Sequence, residues 1–465
     1  MQIPRPAQII AQAVPDFQGH LFLVGGGVRD ALLGKGESAD LDLVTTKDAP
    51  TLARHLFDIG VSDIPPVTYE RFGTAMVQVA GAQIELVTAR RESYRGDSRK
   101  PQVEPATILE DAQRRDFTIN TLLQDIYTGE VLDPLGVARD DLAAGILRTP
   151  LDPVHTFRED PLRMLRAVRF RWQLEFHYAE GLAEAIKAEA SRLSIISQER
   201  IRDELVKMMR NPKASRAWQD LSDLGLLAEF LPELLPLQGC EQGDYHHLDV
   251  WHHSLAALDN TAGDEAAVRW AALLHDIAKP ATKGSKPDGR ITFYGHEMEG
   301  ARMAMTILSR LRFPHREALQ VSALIRHHMR FMGMPKVSPA AARRLVRDLG
   351  DNLEPLLRLC DADAGALKAG VRTFYSDNVR AVLATLPPPV EAKNPYESPL
   401  TGEQIIALCG VEPGPAVGHL KQWLSDLVVE GKIEPGDEAA ATAMLEELRA
   451  NATEFARVSL GERTV

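Results

Sequence analysis

The spacing of hydrophobic residues divides the chain into two parts. Up to about residue 150, short apolar runs such as LFLV, LDLV and TAMVQVA alternate with turn-forming residues, a pattern typical of short strands. From about Leu151 onward, long stretches rich in Ala, Leu, Glu and Arg are typical of helices. The sequence therefore predicts an α/β head with a small mixed β-sheet, followed by an almost entirely α-helical remainder.

Proline-rich segments mark the predicted boundaries. Because 465 residues exceed the length at which one hydrophobic core stops growing, we expect several structural units. Prolines cluster at 150–153, 231–239 and 386–395, and the residue before a proline is unfavourable in a helix. The predicted division is a head at 1–148, a helical neck at 149–215, a helical body at 216–385 and a helical tail at 386–465.

Composition excludes several classes of protein. Hydrophobic residues make up 45% and charged residues 25%, as in ordinary soluble globular proteins. The three cysteines, Cys240, Cys360 and Cys409, are too dispersed for a disulfide framework or a thiolate zinc site. Neither a signal peptide nor an apolar run long enough to span a bilayer is visible. We expect a cytoplasmic protein without membrane contact, and we infer no obligate protein partner.

The distribution of charge restricts where nucleic acid is expected to bind. The net charge of -12 argues against a uniformly attractive surface. Basic residues outnumber acidic ones between Phe157 and Arg216, whereas the reverse holds from Arg380 onward. We therefore expect any surface that binds nucleic acid to lie before the tail.

Two carboxylates alternate with two leucines in the segment SADLDLVT. If this segment is a strand, Asp40 and Asp42 lie on one face and the leucines on the other. Converging carboxylate oxygens suit Mg²⁺, and bound metal ions can activate a hydroxyl and stabilise a pyrophosphate leaving group. Glu85, in the alternating segment QIELVTA, is the third candidate catalytic carboxylate. Taken alone, the aspartate pair has at least an even chance of being only a solvated strand edge.

A glycine-rich turn precedes the aspartates. LFLVGGGVRDALLG predicts a strand, a turn and a helix, a geometry in which backbone amides approach a triphosphate. Asp30 occupies the third glycine position of a dinucleotide-binding fingerprint, and Gly36 follows the Gly34-Lys35 pair where a P-loop requires Ser or Thr. The turn therefore belongs to neither of these phosphate-binding motifs.

Several motifs together resemble one enzyme family. GGGVRDALLG followed by DLD resembles the signature of class II tRNA nucleotidyltransferases and of the related bacterial poly(A) polymerases. EDAQRRDFTINTLLQD and TFREDPLRMLRAVRF resemble two further motifs of this family. The resemblance implies template-independent addition of CMP or AMP, from CTP or ATP, to the 3′ end of tRNA, with Mg²⁺ held by Asp40 and Asp42. It implies a nucleotide-binding role for Gly26, Gly27, Arg29, Arg114, Arg115, Asp116, Asn120, Asp160, Arg163, Arg166 and Arg169.

The neck contains the segment that the resemblance links to nucleotide choice. In EDPLR, Pro161 suits a first helical position, and Asp160 and Arg163 are three residues apart on one helix face. A carboxylate beside a guanidinium offers acceptors and donors like the edge of a base, and the resemblance implies that this pair selects C and A. The alternative is an ordinary helix ion pair. One departure from the family pattern is Val137, which stands where the turn DPLGVARDDL is expected to have a second glycine.

A second group of metal-ligand residues lies between 246 and 365. DVWHHSLAAL, WAALLHDIAKP, FYGHEMEGA, IRHHM and LCDADAGA occur in the order and helical setting of an HD phosphohydrolase domain, which they resemble. On that resemblance, a divalent transition metal or Mg²⁺ is held by His253, His275, Asp276, His296, His327 and Asp363. Within the doublets, His252, His328 and Asp361 remain alternatives. A single histidine here would more often be structural.

The leading hypothesis is a CCA-, CC- or A-adding tRNA nucleotidyltransferase. A poly(A) polymerase shares the head motifs, although the acidic tail favours the first reading. A different class is a metal-dependent phosphohydrolase, such as a 2′,3′-cyclic phosphodiesterase, whose head binds RNA. A non-catalytic RNA-binding module fits least, because it would leave two metal-ligand sets without a purpose.

Overall fold

The computed structural model describes residues 2–36, 41–93, 102–243, 246–332, 336–371, 376–386 and 394–462. The chain forms two compact units, Met1–Leu235 and Pro236–Val465. The division between them falls within the proline cluster at 231–239. The finer division into head, neck, body and tail remains a proposal.

Strands are concentrated in the first unit. Those of the described residues are β1 (Leu21–Val24), β2 (Leu41–Thr45), β3 (Val67–Tyr69), β4 (Thr74–Val79), β5 (Ala82–Thr88), β6 (Arg90–Ser93), β7 (Gln102–Pro105), β8 (Leu123–Asp125), β9 (Val131–Leu132), β10 (Ile146–Leu147), β11 (His177–Tyr178), β12 (Gly284–Ser285) and β13 (Ile291–Thr292). Seven of them form one sheet in the order β3-β4-β5-β2-β1-β8-β9. β2 and β5 are parallel, and the other neighbours in this sheet are antiparallel. The predicted mixed sheet is confirmed.

Helices make up most of the remaining described residues. They are α1 (Arg5–Ala13), α2 (Gly26–Leu32), α3 (Ala49–Asp58), α4 (Ile108–Gln113), α5 (Ala138–Ala144), α6 (Pro153–Glu159), α7 (Leu162–Leu174), α8 (Leu182–Glu189), α9 (Gln198–Met209), α10 (Ala214–Asp223), α11 (Leu227–Phe230), α12 (Val250–Asn260), α13 (Ala266–Leu274), α14 (Lys279–Thr282), α15 (His296–Arg310), α16 (His315–His327), α17 (Pro339–Leu349), α18 (Leu353–Gly365), α19 (Ser376–Leu383), α20 (Gly402–Cys409), α21 (Pro415–Glu430), α22 (Glu438–Ala450) and α23 (Ala452–Ser459). Short 3₁₀ helices span Pro15–Phe17, Glu70–Phe72, Thr118–Asn120, Ala190–Ile195, Pro232–Leu237, His328–Phe331 and Gly350–Asn352. The predicted helical remainder after the head is confirmed. Within the described part of the chain, no helix is long and apolar enough to cross a membrane.

The segment with Val137 in place of a glycine still forms a turn. Gly136 supplies the left-handed conformation, with φ +70°, and Val137, which is 43% exposed, directly precedes α5. The carboxylate of Asp133 accepts hydrogen bonds from the amides of Leu135, Gly136 and Arg139. Because Val137 faces solvent and Asp133 holds the backbone, a second glycine is not needed here.

Candidate functional site

Asp42 and Glu85 lie side by side on adjacent strands. β2 and β5 are parallel, and their register places Asp42 opposite Glu85. Both residues are exposed, whereas Leu41 and Leu43 on the other face are buried. The predicted alternation of β2 is confirmed for these residues. Asp40 lies outside the described residues.

The environment of these carboxylates favours a bound cation. Burial raises the pKa of Glu85 above its ordinary value, the charge of Asp42 raises it further, and Arg90 lowers it in part. Two carboxylates that repel each other at a partly desolvated surface are stabilised when a divalent ion neutralises them. The donor set, exposed carboxylate oxygens, fits a divalent cation.

The glycine turn runs next to Asp42. Gly25 has φ +79°, and a Cβ atom placed on it would lie 3.6 Å from Oδ2 of Asp42. Gly26 and Gly27 form the first turn of α2, and Gly26 lies close to the guanidinium of Arg29. The turn therefore approaches the carboxylate edge through a residue without a side chain. Sequence reasoning selected Gly26 and Gly27 but not Gly25, whose positive φ is a property of the fold.

A continuous set of hydrogen bonds connects α2 to the neck helix α7. Arg29 Nη1 donates to Asn120 Oδ1 at 2.7 Å, and Asn120 Nδ2 donates to Asp116 Oδ1 at 3.0 Å. Arg166 then donates to Asp116 Oδ2 from Nε at 2.8 Å and from Nη2 at 2.5 Å. Four residues proposed to bind nucleotide are thus joined through Asp116.

The charges of this set are strongly coupled. Although burial raises the pKa of Asp116, the charge of Arg166 and the hydrogen bond from Asn120 hold that pKa well below its usual range. The charge of Asp116 in turn raises the pKa of Arg166. Asp116 is therefore an ionised, buried carboxylate that orients a guanidinium.

Sequence reasoning missed two residues, Phe170 and Glu204, that contact the arginines of α2 and α7. The ring of Phe170 has three guanidinium carbons around it, at 5.0 Å for Arg29, 5.3 Å for Arg166 and 4.1 Å for Arg169. Glu204 on α9 is buried and accepts a hydrogen bond from Arg169 Nε at 2.6 Å. Glu204 is separated from Arg169 by 35 positions, so only the packing of α9 against α7 reveals the pair.

Arg114 and Arg115 share one buried acid. Asp111 Oδ1 accepts from Arg114 Nη2 at 2.5 Å, and Asp111 Oδ2 accepts from Arg115 Nη2 at 2.9 Å. The sequence contains a signal for this contact, because an acid three and four positions before two arginines lies on their helix face.

Asp160 and Arg163 have different partners. Asp160 Oδ2 accepts from Arg200 Nη2 at 2.9 Å, whereas Arg163 Nη2 donates to the carbonyl oxygen of Arg114 at 2.5 Å. Nη1 of Arg163 also lies 3.5 Å from Oε2 of Glu159. The structure therefore pairs Asp160 with Arg200 and Arg163 with Glu159, and not Asp160 with Arg163 as the ion-pair alternative expected.

Six side chains in the second unit form two adjacent groups that fit a metal site. One group contains His253, His275 and Asp363, and the other contains Asp276, His296 and His328. All six are buried, and within each group the ligand atoms lie within 4.8 Å of one another. Nε2 of His275 is 3.1 Å from the Asp276 carboxylate, and Nε2 of His296 is 3.4 Å from it. Asp276 thus faces both groups.

Backbone carbonyls orient the histidine rings. Nδ1 of His275, His296 and His328 lies 2.9, 2.7 and 2.6 Å from the carbonyl oxygens of Ala272, Phe293 and Ile325, respectively. Because a carbonyl only accepts, each Nδ1 carries the hydrogen and each Nε2 is free to ligate. Nε2 of His296 lies 3.2 Å from Nε2 of His328, so two acceptors face each other when both rings are neutral. A metal ion satisfies this arrangement.

The structure corrects one residue assigned from the sequence. His328 lies in the metal-ligand group, whereas His327, the residue chosen from the doublet, does not. His252 pairs with Asp249 and is exposed, which leaves His253 in the group, and Asp361 pairs with Arg380, which leaves Asp363. Along a helix, His252 and His253 of α12 point about 100° apart and Asp361 and Asp363 of α18 about 200° apart, so one member of each pair faces the centre and the other faces away.

A cavity of about 280 Å³ opens beside this centre. Its lining includes Asp276, His296 and His328 together with Lys279 and the aromatic residues Phe293 and Tyr294. Lys279 Nζ lies 2.7 Å from Asp276 Oδ2. Sequence reasoning missed Lys279, although it stands one helical turn after Asp276 in HDIAK.

Comparison with known proteins agrees with this arrangement along the chain. The chain matches the Poly A polymerase head domain over residues 21–148 and the Probable RNA and SrmB-binding site of polymerase A over residues 175–237. It matches the HD domain over residues 243–364.

Two relatives match over nearly their whole length. The A-adding tRNA nucleotidyltransferase of Deinococcus radiodurans is 35% identical over 92% of this chain and 96% of its own. The CC-adding tRNA nucleotidyltransferase of Thermus thermophilus is 31% identical over 90% of this chain and 92% of its own. The crystal structure of the Bacillus stearothermophilus CCA-adding enzyme in complex with CTP has the same fold, with a TM-score of 0.69 and 24% identity over 97% of this chain and 100% of that one. Because identity to the first two extends over almost all of each sequence, this chain belongs to the family of tRNA nucleotidyltransferases.

Proposed function

We propose that this chain adds CMP, AMP or both to the 3′ end of tRNA, using CTP and ATP and releasing pyrophosphate. The observation that carries the proposal is the pairing of Asp42 with Glu85 on one exposed strand face, beside the turn at Gly25. The relatives named for A addition and CC addition support the choice of tRNA and of these nucleotides.

The reaction joins the terminal 3′ oxygen of the RNA to the α-phosphorus of the nucleotide and breaks the bond to the β-phosphate. Asp40 and Asp42 would hold Mg²⁺, which supplies charge neutralisation at the triphosphate and a more acidic attacking hydroxyl. Glu85, opposite Asp42 on the neighbouring parallel strand, is the third carboxylate that we propose acts at this site.

The remaining residues bind and orient the nucleotide. Gly26 and Gly27 bring backbone amides close to the phosphates, while Arg29, Arg114 and Arg115 supply positive charge. In this proposal Asp116 acts near the ribose, Asn120 near the nucleotide, and Asp160 and Arg163 present an acceptor and a donor to the base. Arg166 and Arg169, which are paired with Asp116 and Glu204, complete the proposed nucleotide-binding residues.

Addition to a panel of tRNA transcripts tests this function. Transcripts that lack CCA, end in CC, or carry complete CCA are incubated with each labelled nucleoside triphosphate and Mg²⁺. We expect label from CTP on the first, from ATP on the second, or from both in turn, and none on the third. Repeated AMP addition to complete tRNA would instead identify a poly(A) polymerase, and absence of any addition would refute the proposal.

We further propose that the HD centre is a metal-dependent phosphohydrolase, with Mg²⁺ or a divalent transition metal held by His253, His275, Asp276, His296, His328 and Asp363. The supporting observation is that the buried ligand groups open onto a cavity that contains Lys279, a cation for a phosphate ester.

Adjacent histidines provide a matched test of this second activity. His328→Ala is expected to remove hydrolysis of 2′,3′-cyclic nucleotides and phosphomonoesters, whereas His327→Ala is expected to retain it, because only His328 lies in the ligand groups. Equal activity of the two variants, or no hydrolysis by the unaltered protein with Mg²⁺, Mn²⁺, Ni²⁺ or Co²⁺, would remove the catalytic role of this centre.

A cytoplasmic location is also proposed. The described structure contains Cys240, Cys360 and Cys409 as free, buried thiols, which suits a reducing compartment.

A further inference from the structure

Asp111 lies at the centre of a buried contact within the first unit. Its side chain is 3% exposed, and its carboxylate is shared by Arg114 and Arg115. Burial raises the pKa of Asp111, but the charges of Arg115 and Arg114 outweigh it and hold the pKa below its ordinary value. Asp111 is therefore an ionised carboxylate that fixes both arginines of the RRDFTIN segment.

The same contact reaches the strand that follows β5. The amide of Arg90 donates to Asp111 Oδ1 at 3.3 Å, and Nε of Arg114 donates to the carbonyl oxygen of Arg90 at 2.9 Å. Arg90 begins β6, and its charge acts on the pKa of Glu85. Asp111 thus anchors the backbone of Arg90, whose charge lowers the pKa of the proposed catalytic carboxylate Glu85.

In the other direction, the contact reaches α7. Arg163 Nη2 donates to the carbonyl oxygen of Arg114 at 2.5 Å, and Arg163 Nη1 lies 3.5 Å from the carbonyl oxygen of Thr156. The Arg163 guanidinium is therefore oriented by the backbone of the residue that Asp111 holds. A change at Asp111 that moves Arg114 also moves the donor proposed to read the base.

We propose that Asp111 is a positioning residue for nucleotide selection, which acts on Arg163 through Arg114 and on the surroundings of Glu85 through Arg90. This inference rests on the proposed nucleotide addition. The carboxylate oxygens of Asp111 accept hydrogen bonds from two arginines and a backbone amide. Its proposed part in the reaction is therefore to keep these groups in fixed positions. Selection that depends on fixed hydrogen-bond donors is lost when the donors are free to rearrange.

The variant Asp111→Asn tests this role, because it keeps the shape of the side chain and removes its charge and one acceptor oxygen. We expect the ratio of kcat/KM for the correct nucleotide to kcat/KM for UTP or GTP to fall by about tenfold or more, mainly through a higher KM for the correct nucleotide. Glu110→Gln is the matched control, since this partly exposed neighbour forms the capping box of α4 with Thr107 and Gln preserves that motif. Its selectivity is expected to be unchanged.

Three outcomes decide the inference. An equal loss of kcat/KM for every nucleotide, with a lower melting temperature, would show that Asp111 only stabilises the fold and would overturn the proposal. If Asp111→Asn does not fold, Arg114→Lys takes its place, since Lys keeps the charge but loses the paired contact with Asp111; unchanged selectivity in that variant overturns the proposal equally. Unaltered protein that adds no nucleotide refutes the proposed function itself, which separates that failure from a failure of the role of Asp111.

Discussion

At the scale of residues, the buried charges of the first unit are held by partners distant in sequence. Asp116 binds Arg166, which is 50 positions away, and Glu204 binds Arg169. Such ion pairs contribute little to stability where water surrounds them. When they are buried, removing one partner is costly, because the other charge is left without a counter-ion. The arrangement keeps several arginines charged and fixed without a bound anion.

The Asp116 pair gives a prediction on stability and pH. Asp116→Asn is expected to lower the free energy of unfolding at pH 7 by about 3 kcal/mol, because Arg166 loses its buried counter-ion. The folded-state pKa of Asp116 is depressed, so its stabilisation is present above the unfolded pKa of about 4 and is lost as pH falls toward the folded value. Urea denaturation of both proteins between pH 7 and pH 3 measures the difference, which should narrow below about pH 4.

Asp203→Asn is the control for this prediction, since Asp203 is exposed and pairs with its neighbour Arg202. Its effect is expected to be below about 1 kcal/mol. A stability difference for Asp116→Asn that stays constant down to pH 3 would contradict the assigned ionisation of Asp116.

At the scale of elements, two strands and one helix bring the proposed nucleotide site together. β2 and β5 place Asp42 beside Glu85, and α7 carries Arg163 and Arg166 on a helix that begins just after Pro161. Local patterns predicted these elements, because alternation and helical spacing are properties of neighbouring residues.

Nucleotide selection is tested with Asp160→Asn, because Asp160 lies between α6 and α7 rather than on the α7 face predicted from the sequence, and this change removes the charged acceptor but leaves a side chain of the same shape. Misincorporation of UMP and GMP is expected to rise by about tenfold, with little change in melting temperature because Asp160 is partly exposed. The assay measures incorporation of each nucleotide on tRNA that lacks CCA. Arg202→Lys on α9 is the control, and nucleotide preference that stays the same in Asp160→Asn would reduce this residue to a surface partner of Arg200.

What the sequence did not predict depends on contacts between distant segments. The strand order β3-β4-β5-β2-β1-β8-β9 requires pairing that no local pattern specifies. The roles of Glu204 and Phe170 depend on how α7 packs, and the choice of His328 over His327 depends on which side of a helix end faces the metal-ligand groups. The types of residues and their order along the chain were sufficient to recognise the family. The direction in which each side chain points could be read only from the structure.

At the scale of the whole molecule, the two proposed active centres belong to different compact units. Asp42 and Glu85 lie in Met1–Leu235, whereas all residues of the HD centre lie in Pro236–Val465. Each unit has its own buried hydrophobic residues. We therefore expect the two activities to be separable.

Separation is tested by combining His275→Ala with Asp276→Ala. Phosphohydrolase activity is expected to fall by about 100-fold or more, because two ligands are removed, while extension of tRNA with Mg²⁺ continues. Both reactions and the melting temperature are measured on the same preparation. Parallel loss of the two activities together with a lower melting temperature would mean that these residues are structural.

The most direct test of the central claim is the extension of tRNA lacking CCA by the unaltered protein, by Asp42→Asn and by Asp58→Asn. Asp58 is an exposed acid at the end of α3 and provides the same chemical change away from the strand face. The account predicts that Asp42→Asn lowers the rate of nucleotide addition by about 1,000-fold or more, at an unchanged melting temperature, and that Asp58→Asn has no effect. Extension by Asp42→Asn at the rate of the unaltered protein would contradict the assignment of the catalytic centre.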